Sequence, residues 1–464
     1  MSCYLAIDCG LTQIKAAVFD RCGRALSLAD ASTPVHGTMI DAQALTDNLY
    51  RVVRQALTQA QVSVSRVCIS AHGNGLYYLT RDGGTAAISS MASAPVCNDA
   101  RLIELTGQSC WGGQPLQILR QIKQEQPACY RQIRAVMFCK DFLSYLLSGC
   151  IGTDYSDASA GALLDVTTNR YSEEILKLHG LEDALPLLPP LHRSFECYAH
   201  VNALAAEKTG LAVGTPICAG MFDVNACILG AGDFSDAYSL IAGTWGINAV
   251  ITDKAVTSES VTQSCLFLGP EQHMLIDSAP VSCVNLEWLM SHIFPHLSYT
   301  QANEMVEASA VDEGLFYLPY LYAPMDMPKA RAGFVGLGRE HGPGDMIRAV
   351  FEGIAFEHKR RVDKFVRLGI DRARIVLSGG AAKSEVWCQM FADILRLPVE
   401  QTAQAQAGLL GCAITCAVAN GDYPDYPSAV SAMTEKRRVF RPGENRYRKK
   451  YQQFLKEISS WTMQ

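Results

Sequence analysis

Residues 4–20 read YLAIDCGLTQIKAAVFD, an apolar strand, a glycine turn and a second strand, and residues 237–253, AYSLIAGTWGINAVITD, repeat that pattern halfway along the chain. Short apolar runs bounded by Gly, Asp and Asn are the signature of paired strands. After the first copy come the turn RCGR (21–24) and a third strand, ALSLA (25–29). AQALTDNLYRVVRQALTQA (42–60) then places Leu45, Leu49, Val52, Val53 and Leu57 at helical spacing, and RVCIS (66–70) reads as a buried strand. After the second copy, GDMIRAVFEGIAFEHKRRVDKFVR (344–367) is a long amphipathic helix with Ile347, Val350, Phe351, Ile354, Val362 and Phe365 on its apolar face. The strand RIVLSGG (374–380) and the helix SEVWCQMFADIL (384–395) follow it. Two halves that open alike indicate duplication. Each is expected to be a strand-rich α/β domain, 1–236 and 237–464, with the boundary near 232–238.

Bulk composition excludes several classes. With 464 residues, 49% hydrophobic and 19% charged, the chain has ample material for packed cores. Its net charge is −6 and its Lys and Arg residues are dispersed, which argues against nucleic acid or an anionic membrane as the main partner. The apolar run GLLGCAITCAVA (408–419) is too short to span a bilayer. The N-terminus MSCYLAIDCG has no basic leader, and the 17 cysteines form no CxxC pair. A reduced, cytoplasmic address follows from this reading.

The two glycine turns are candidate anion sites. DCGLTQIK (8–15) sets Asp8 at a strand end, then a turn, the hydroxyl of Thr12 and Lys15. Turn amides and a hydroxyl form an anion-binding concavity, and Asp8 is suited to a hydrated Mg²⁺. An ordinary hairpin whose acid bonds the turn amides is the competing reading. AGTWG (242–246) offers Gly243 and Thr244 in the equivalent place, and two such turns suit a nucleoside triphosphate. In SGGAAKSEVW (378–387), Gly379, Gly380, Ala381 and Ser384 lie where a strand gives way to a helix, a place where backbone can approach a nucleotide closely. Neither this stretch nor any other contains a Walker A loop. Asp223, in CAGMFDVNAC (218–227), is a carboxylate among small and apolar neighbours, costly to bury without a partner or ligand. A helix N-cap and a chemical role are both open for it.

In this order the segments resemble the FGGY family of carbohydrate kinases, within the superfamily of sugar kinases, actin and Hsp70. DCGLTQIK and AGTWG look like its two phosphate motifs, and SGGAAKSEVW and GLLGCAITCA like its adenosine-side segments. MFCKDFLSYLLSG (137–149) and GFVGLGREHGPGDMIRAVFEG (333–353) are similar to its two signature segments, and the resemblance spans almost the whole chain. It implies an α/β fold of two duplicated ribonuclease H-like (actin/hexokinase-type ATPase) domains flanking a central cleft. Domain 1–236 would bind sugar, and domain 237–464 would bind ATP and carry the C-terminal helix. GTW, FDV and NLEWLM (285–290) resemble the group acting on L-xylulose. Asn74 stands where D-xylulose kinases usually carry a histidine, and CNDAR (97–101) lacks their tryptophan.

The implied activity is ATP-dependent phosphorylation of a small ketose, L-xylulose or a related ketopentose. A polyol kinase, a non-sugar ATPase of the superfamily and a silent sugar sensor are the alternatives. Asp223 would be the catalytic base, with Asp8 and Asp223 towards Mg²⁺. Thr12, Lys15, Gly243, Thr244, Gly379, Gly380, Ala381 and Ser384 would face ATP and its phosphates, and His72, Asn74, Asp99 and Asp223 the sugar. Arg101 would pair with a substrate carboxylate or with Asp99. The basic segment 430–464 (KRRV, then NRYRKKYQQFLKEISSW) reads as a terminal helix with Tyr451, Phe454 and Ile458 on one stripe, packed on a lobe or on a homodimer partner.

Overall fold

A computed structural model of the chain describes residues 2–232, 234–258, 262–402, 404, 406–435 and 438–462, the last two of these by backbone only. The chain divides into two compact units, and neither is continuous in sequence. One comprises Met1–Asp233, Ile251–Leu275 and Gln406–Thr434, the other Phe234–Val250, Ile276–Ala405 and Glu435–Gln464. The sequence places one boundary at 236/237; the contacts place the first at 233/234, and the chain later returns to the first unit twice.

The first unit is built around Cys3–Cys9. This strand pairs antiparallel with Gln13–Asp20 on one side and parallel with Arg66–Ala71 on the other. Ala25–Ser32 extends the hairpin outwards, and Pro216–Cys218 and Cys197–His200 extend the opposite edge. Met221–Phe222 also pairs parallel with Arg66–Ala71. The central strand is buried almost throughout, which is why its sequence is a continuous apolar run rather than an alternation. The helix Ala42–Ala60 starts where Asp41 accepts the Ala44 N–H, and its apolar face joins the core of the sheet. A smaller antiparallel sheet (Val35–His36, Met39–Ile40, Thr85–Ile88, Leu76–Thr80, Ile133–Met137) adjoins a second core containing Leu102, Leu116, Leu119 and Phe138.

The helix Ala407–Ala419 completes this unit. It is apolar all round because it is covered all round, and it lies against the helix Asp223–Ala231. A Cβ on Gly411 would stand 2.1 Å from the Ala226 carbonyl oxygen, so only glycine permits this helix spacing. The segment GLLGCAITCA, which resembles an adenosine-side segment, is here a core helix grouped with the first unit.

The second unit repeats the plan. Ala237–Ala242 pairs antiparallel with Gly246–Thr252 and parallel with Arg374–Gly379, after which come Val399–Gln401 and the edge strand Arg438–Phe440. The expected duplication of a ribonuclease H-like α/β domain is thus present in strand order and direction. The helix Pro343–Arg367 buries the apolar face seen in the sequence, together with charged residues that the pattern did not mark as internal. Arg361 pairs with Asp277 at 2.9 Å, Lys364 with the same carboxylate at 2.7 Å, and Glu357 accepts from Tyr320 and Arg360. Such charges are tolerated inside because each has an opposite partner.

The terminal helix runs Arg448–Thr462. Its Tyr451 and Phe454 rings pack 5.6 and 5.1 Å from Phe356 of the same unit, so the apolar stripe is used within the chain. KRRV is not part of it: Lys436 and Arg437 lie outside the described residues, and Arg438–Phe440 is strand.

Candidate active site

Three strand ends of the first unit bring the candidate residues together. Asp8 is paired with Lys15 in the antiparallel register and with Ser70 in the parallel one. Ser70 Oγ donates to Asp8 Oδ1 at 2.7 Å, and the His72 N–H donates to the Cys9 carbonyl at 2.8 Å. Phe222 is in register with Ala71, so Asp223 leaves the sheet beside the segment that carries His72 and Asn74. The carboxyl ends of parallel strands are where open α/β sheets hold their ligands. The simple-hairpin reading of Asp8 fails in one respect: its hydroxyl donor is Ser70, reached across the sheet, and not its own turn.

Asp223 is the first residue of the helix Asp223–Ala231, and the N-cap is Phe222, which makes no side-chain capping bond. The capping role left open by the sequence is therefore not the one adopted. Burial pushes the Asp223 carboxyl up to about 7, the neighbouring negative charge of Asp8 adds to the rise, and the Val224 N–H opposes it. Burial also raises Asp8, against the lowering influence of Ser70, Lys15 and His72. Gly408 comes so close to Asp8 that a Cβ would stand 3.1 Å from its Oδ2. Lys15 Nζ donates to Gln406 Oε1 at 3.3 Å, which tethers the lysine beside the acid. Two neighbouring carboxyls, each disfavoured as an anion, fit a hydrated divalent cation that takes one or two protein oxygens and draws the rest from water and phosphate. Among the described residues no group of three or more His, Cys, Asp or Glu side chains forms a self-sufficient metal cage.

His72 and Asn74 are both buried, and each leaves a polar atom without a hydrogen-bond partner: His72 Nδ1 and Asn74 Oδ1. His72 Nε2 is 3.0 Å from the Tyr77 hydroxyl, and the Cys139 thiol lies beside the same ring. Asn74 has a φ of 61°, in the left-handed region that asparagine tolerates better than most residues. Asp99 stands apart. It caps the helix Ala100–Thr106 by accepting the Arg101 N–H, and no hydrogen bond or ion pair among the described residues joins it to Asp8, His72, Asn74 or Asp223. Arg101 pairs with Glu174 at 2.9 Å and Glu104 at 2.8 Å, and not with Asp99.

In the second unit, the turn at 243–245 is fastened from both sides. Gly243 N–H donates to the Trp245 carbonyl, and the Gly243 carbonyl accepts from Cys283 N–H. Thr244 is exposed at its tip. The parallel register sets Gly379 opposite Ala242, so the two glycine turns lie side by side. Gly379 has a φ of 87°, Ala381 opens a short 3₁₀ turn, and Ser384 caps the helix Glu385–Leu395 by accepting Trp387 N–H at 3.2 Å. A cavity of about 370 Å³ adjoins this turn, lined by residues including Gly380, Ser384, Leu286, Tyr299, Asn303 and Trp387. Its volume falls in the usual range for small-molecule sites. Ser384 Oγ donates to Asn303 Oδ1 at 2.7 Å. Sequence reading missed Tyr299 and Asn303, which sit on a helix with no motif to mark them, and took Leu286 only as part of NLEWLM without a place in a cavity.

No helix among the described residues is long and apolar enough to cross a membrane. Residues 3–230 match the N-terminal domain, and residues 238–420 the C-terminal domain, of the FGGY family of carbohydrate kinases. The chain is 28% identical to a probable L-xylulose kinase of Haemophilus influenzae, over 99% of each chain. It is 29% identical to the L-xylulose/3-keto-L-gulonate kinase of Escherichia coli, over 98% of this chain and 97% of that one. Among solved structures, the ligand-bound xylulose kinase of Lactobacillus acidophilus is similar in fold, with a TM-score of 0.89 at 19% identity over 100% of this chain and 97% of that one. The glycerol kinase of Plasmodium falciparum with ADP gives a TM-score of 0.90 at 17% identity over 100% and 99%. Matched by both domain models over most of its length, this chain belongs to the FGGY family of carbohydrate kinases and is an ATP-dependent carbohydrate kinase.

Proposed function

We propose that the enzyme phosphorylates a small ketose, L-xylulose or a related ketopentose, with Asp223 as general base. The observation that carries this reading is the Asp223 carboxyl itself, uncapped, next to Asp8 and pushed up to about 7. A base is most effective with a pKa near the working pH. Support for the sugar comes from the two relatives named for L-xylulose and from Asn74 in the place of a histidine. A carbohydrate with a carboxylate or a polyol is the neighbouring reading, favoured to the extent that one relative is also named for 3-keto-L-gulonate.

His72 and Asn74 orient the sugar through the ring nitrogen and amide oxygen that have no partner in the protein. One acceptor hydroxyl lies within reach of Asp223, which accepts its proton as the oxygen bonds to the γ-phosphorus and the bond to ADP breaks. Asp99, which caps a helix through Oδ1, keeps its other carboxylate oxygen for a sugar hydroxyl in this scheme. In the first unit the amides around Thr12 and the ammonium of Lys15, and in the second the amides around Gly243 and the hydroxyl of Thr244, are each suited to phosphate oxygens and would stabilise their charge. The adenosine end occupies the cavity beside Gly379, Gly380, Ala381 and Ser384. Asp8, with Asp223, would hold Mg²⁺, whose chemistry is to neutralise phosphate charge. The reading includes a cytoplasmic address, in keeping with 17 free thiols, and a homodimer that light scattering would detect.

A coupled ADP-release assay across ketoses, polyols and keto-acids tests the proposal. The expected result is turnover with L-xylulose or another ketopentose; activity confined to aldoses would sink it.

A further inference from the structure

Behind Asp223 lies a group of four ionisable side chains that the phosphoryl-transfer chemistry does not use. Lys140 and Asp141 start the helix Cys139–Ser148; Asp154 and Asp157 belong to the cap and first turn of Tyr155–Ala160. Their side chains are at most 1% exposed. Lys140 Nζ contacts Asp141, Asp154 at 3.1 Å and Asp157 at 3.4 Å. One cation facing three carboxyls is an expensive thing to bury, so its surroundings should explain what it secures. Asp154 is where they do.

Asp154 Oδ2 accepts from Ser156 Oγ at 2.6 Å and from Ser194 Oγ at 3.1 Å. Both serines then reach the same short stretch of backbone. Ser156 Oγ accepts the Phe222 N–H at 2.9 Å, and the Ser194 carbonyl accepts the Gly220 N–H at 3.1 Å. Residues 220 and 222 are thereby gripped from one ion-paired carboxylate, and the next residue is Asp223. Lys140 also approaches this stretch, since its Cδ would lie 3.4 Å from a Cβ on Gly220. Burial raises Asp157, Lys140 opposes the rise, and Asp154, Asp141 and Asp223 add to it.

We infer that Lys140, Asp154 and Ser156 are positioning residues for the catalytic base: the ion pair fixes Asp154, Asp154 fixes the Ser156 hydroxyl, and that hydroxyl fixes the peptide from which Asp223 projects. The inference rests on the reading of Asp223 as base. None of the three touches substrate. Ser156 is the informative link, because its Oγ can be removed while all four ionisable groups stay in place.

The test compares Ser156→Ala, Ser156→Thr, Asp223→Asn and the distant buried control Thr209→Ala, whose hydroxyl donates to the Ala205 carbonyl and accepts the Leu211 N–H, away from Asp223. Each is measured for kcat, for KM towards ATP and sugar, and for melting temperature. Misplacing a reacting group by a fraction of its contact distance costs up to about 10²-fold. The expected result for Ser156→Ala is a kcat lowered about 10-fold or more with KM for ATP unchanged, partial recovery in Ser156→Thr, and unchanged kcat in Thr209→Ala. If Ser156→Ala folds and keeps wild-type kcat while Asp223→Asn is inactive, the positioning role is wrong and the base stands. A matching kcat loss in Thr209→Ala assigns the effect to stability and also overturns it. Should Asp223→Asn retain turnover, the base reading fails and takes this inference with it. For a Ser156→Ala protein that does not fold, Ser156→Cys replaces it under the same criteria, since a thiol fills the space of the hydroxyl but is a weaker donor to Asp154 and a weaker acceptor for the Phe222 N–H.

Discussion

The two glycine hairpins share a backbone plan and differ one rung in from the turn. The first sets Asp8 opposite Lys15; the second sets Ile241 opposite Ile247. Beneath the second hairpin the polar groups are neutral and matched to one another. Asn248 bonds His358 at 2.8 Å, and His358 meets Ser282 at 3.2 Å, with its imidazole held down to about 3 by burial and by Arg361. Duplication thus supplied two hairpins of one backbone plan, and only the first carries a carboxylate and an ammonium on the rung next to its turn. On the proposed function, the second would hold a ligand and the first would both hold and react.

That contrast can be broken most severely at Asp223. Asp223→Ala is expected to keep sugar binding, measured by calorimetry, and to lose about 10²–10⁴-fold in turnover, the usual worth of a general base. Asp8→Asn removes the charge of the first hairpin and should lower kcat by about 10²-fold, the scale of losing one preorganised charge-stabilising group, as steady-state ADP release would record. Thr244→Ala, in the neutral hairpin, should raise KM for ATP by about 3–10-fold with a smaller change in kcat, the value of one hydrogen bond. The pH profile sharpens the same point: kcat/KM should rise as pH climbs through about 7, where Asp223 gives up its proton.

The smallest expected effect concerns stability. Asp223 is lifted from the ordinary 3.8 to about 7, so between those values the folded protein keeps a proton that the unfolded chain has released. Stability from this group therefore falls as pH rises across that window. Asp223→Asn should melt higher than the wild type at pH 8, with the difference closing towards pH 4. Calorimetric scans giving a lower melting temperature at pH 8 would show that Asp223 is satisfied as an anion.

Both hairpins, the helix Ala42–Ala60 and the helix Pro343–Arg367 were legible because their periodicity is local. Asp8, Asp223 and the turn at 243–245 draw notice because a charge or glycine stands out among apolar neighbours, while the roles proposed for them come from the family resemblance. What stayed hidden depends on partners far along the chain. Asp99 is a plausible sugar ligand by residue type, and the fold adds that one oxygen of its carboxylate caps a helix. Lys140 sits in a segment singled out by resemblance, but only the fold shows it facing Asp154 and Asp157. Leu286, Tyr299 and Asn303 become a cavity wall only when two helices approach the Gly380 turn.

The close contact between the helices Asp223–Ala231 and Ala407–Ala419 also bears on how the protein is made. The ribosome delivers the Asp223 helix long before the helix that covers it, with most of the second unit synthesised in between. Until the chain has passed Thr434, the first unit lacks part of its core, and the apolar flank of the Asp223 helix must be kept from other partners. A nascent chain in this condition is exposed to misassembly and a natural client for chaperones. The glycines that let the two helices touch thus join segments of one unit that lie almost two hundred residues apart in the chain.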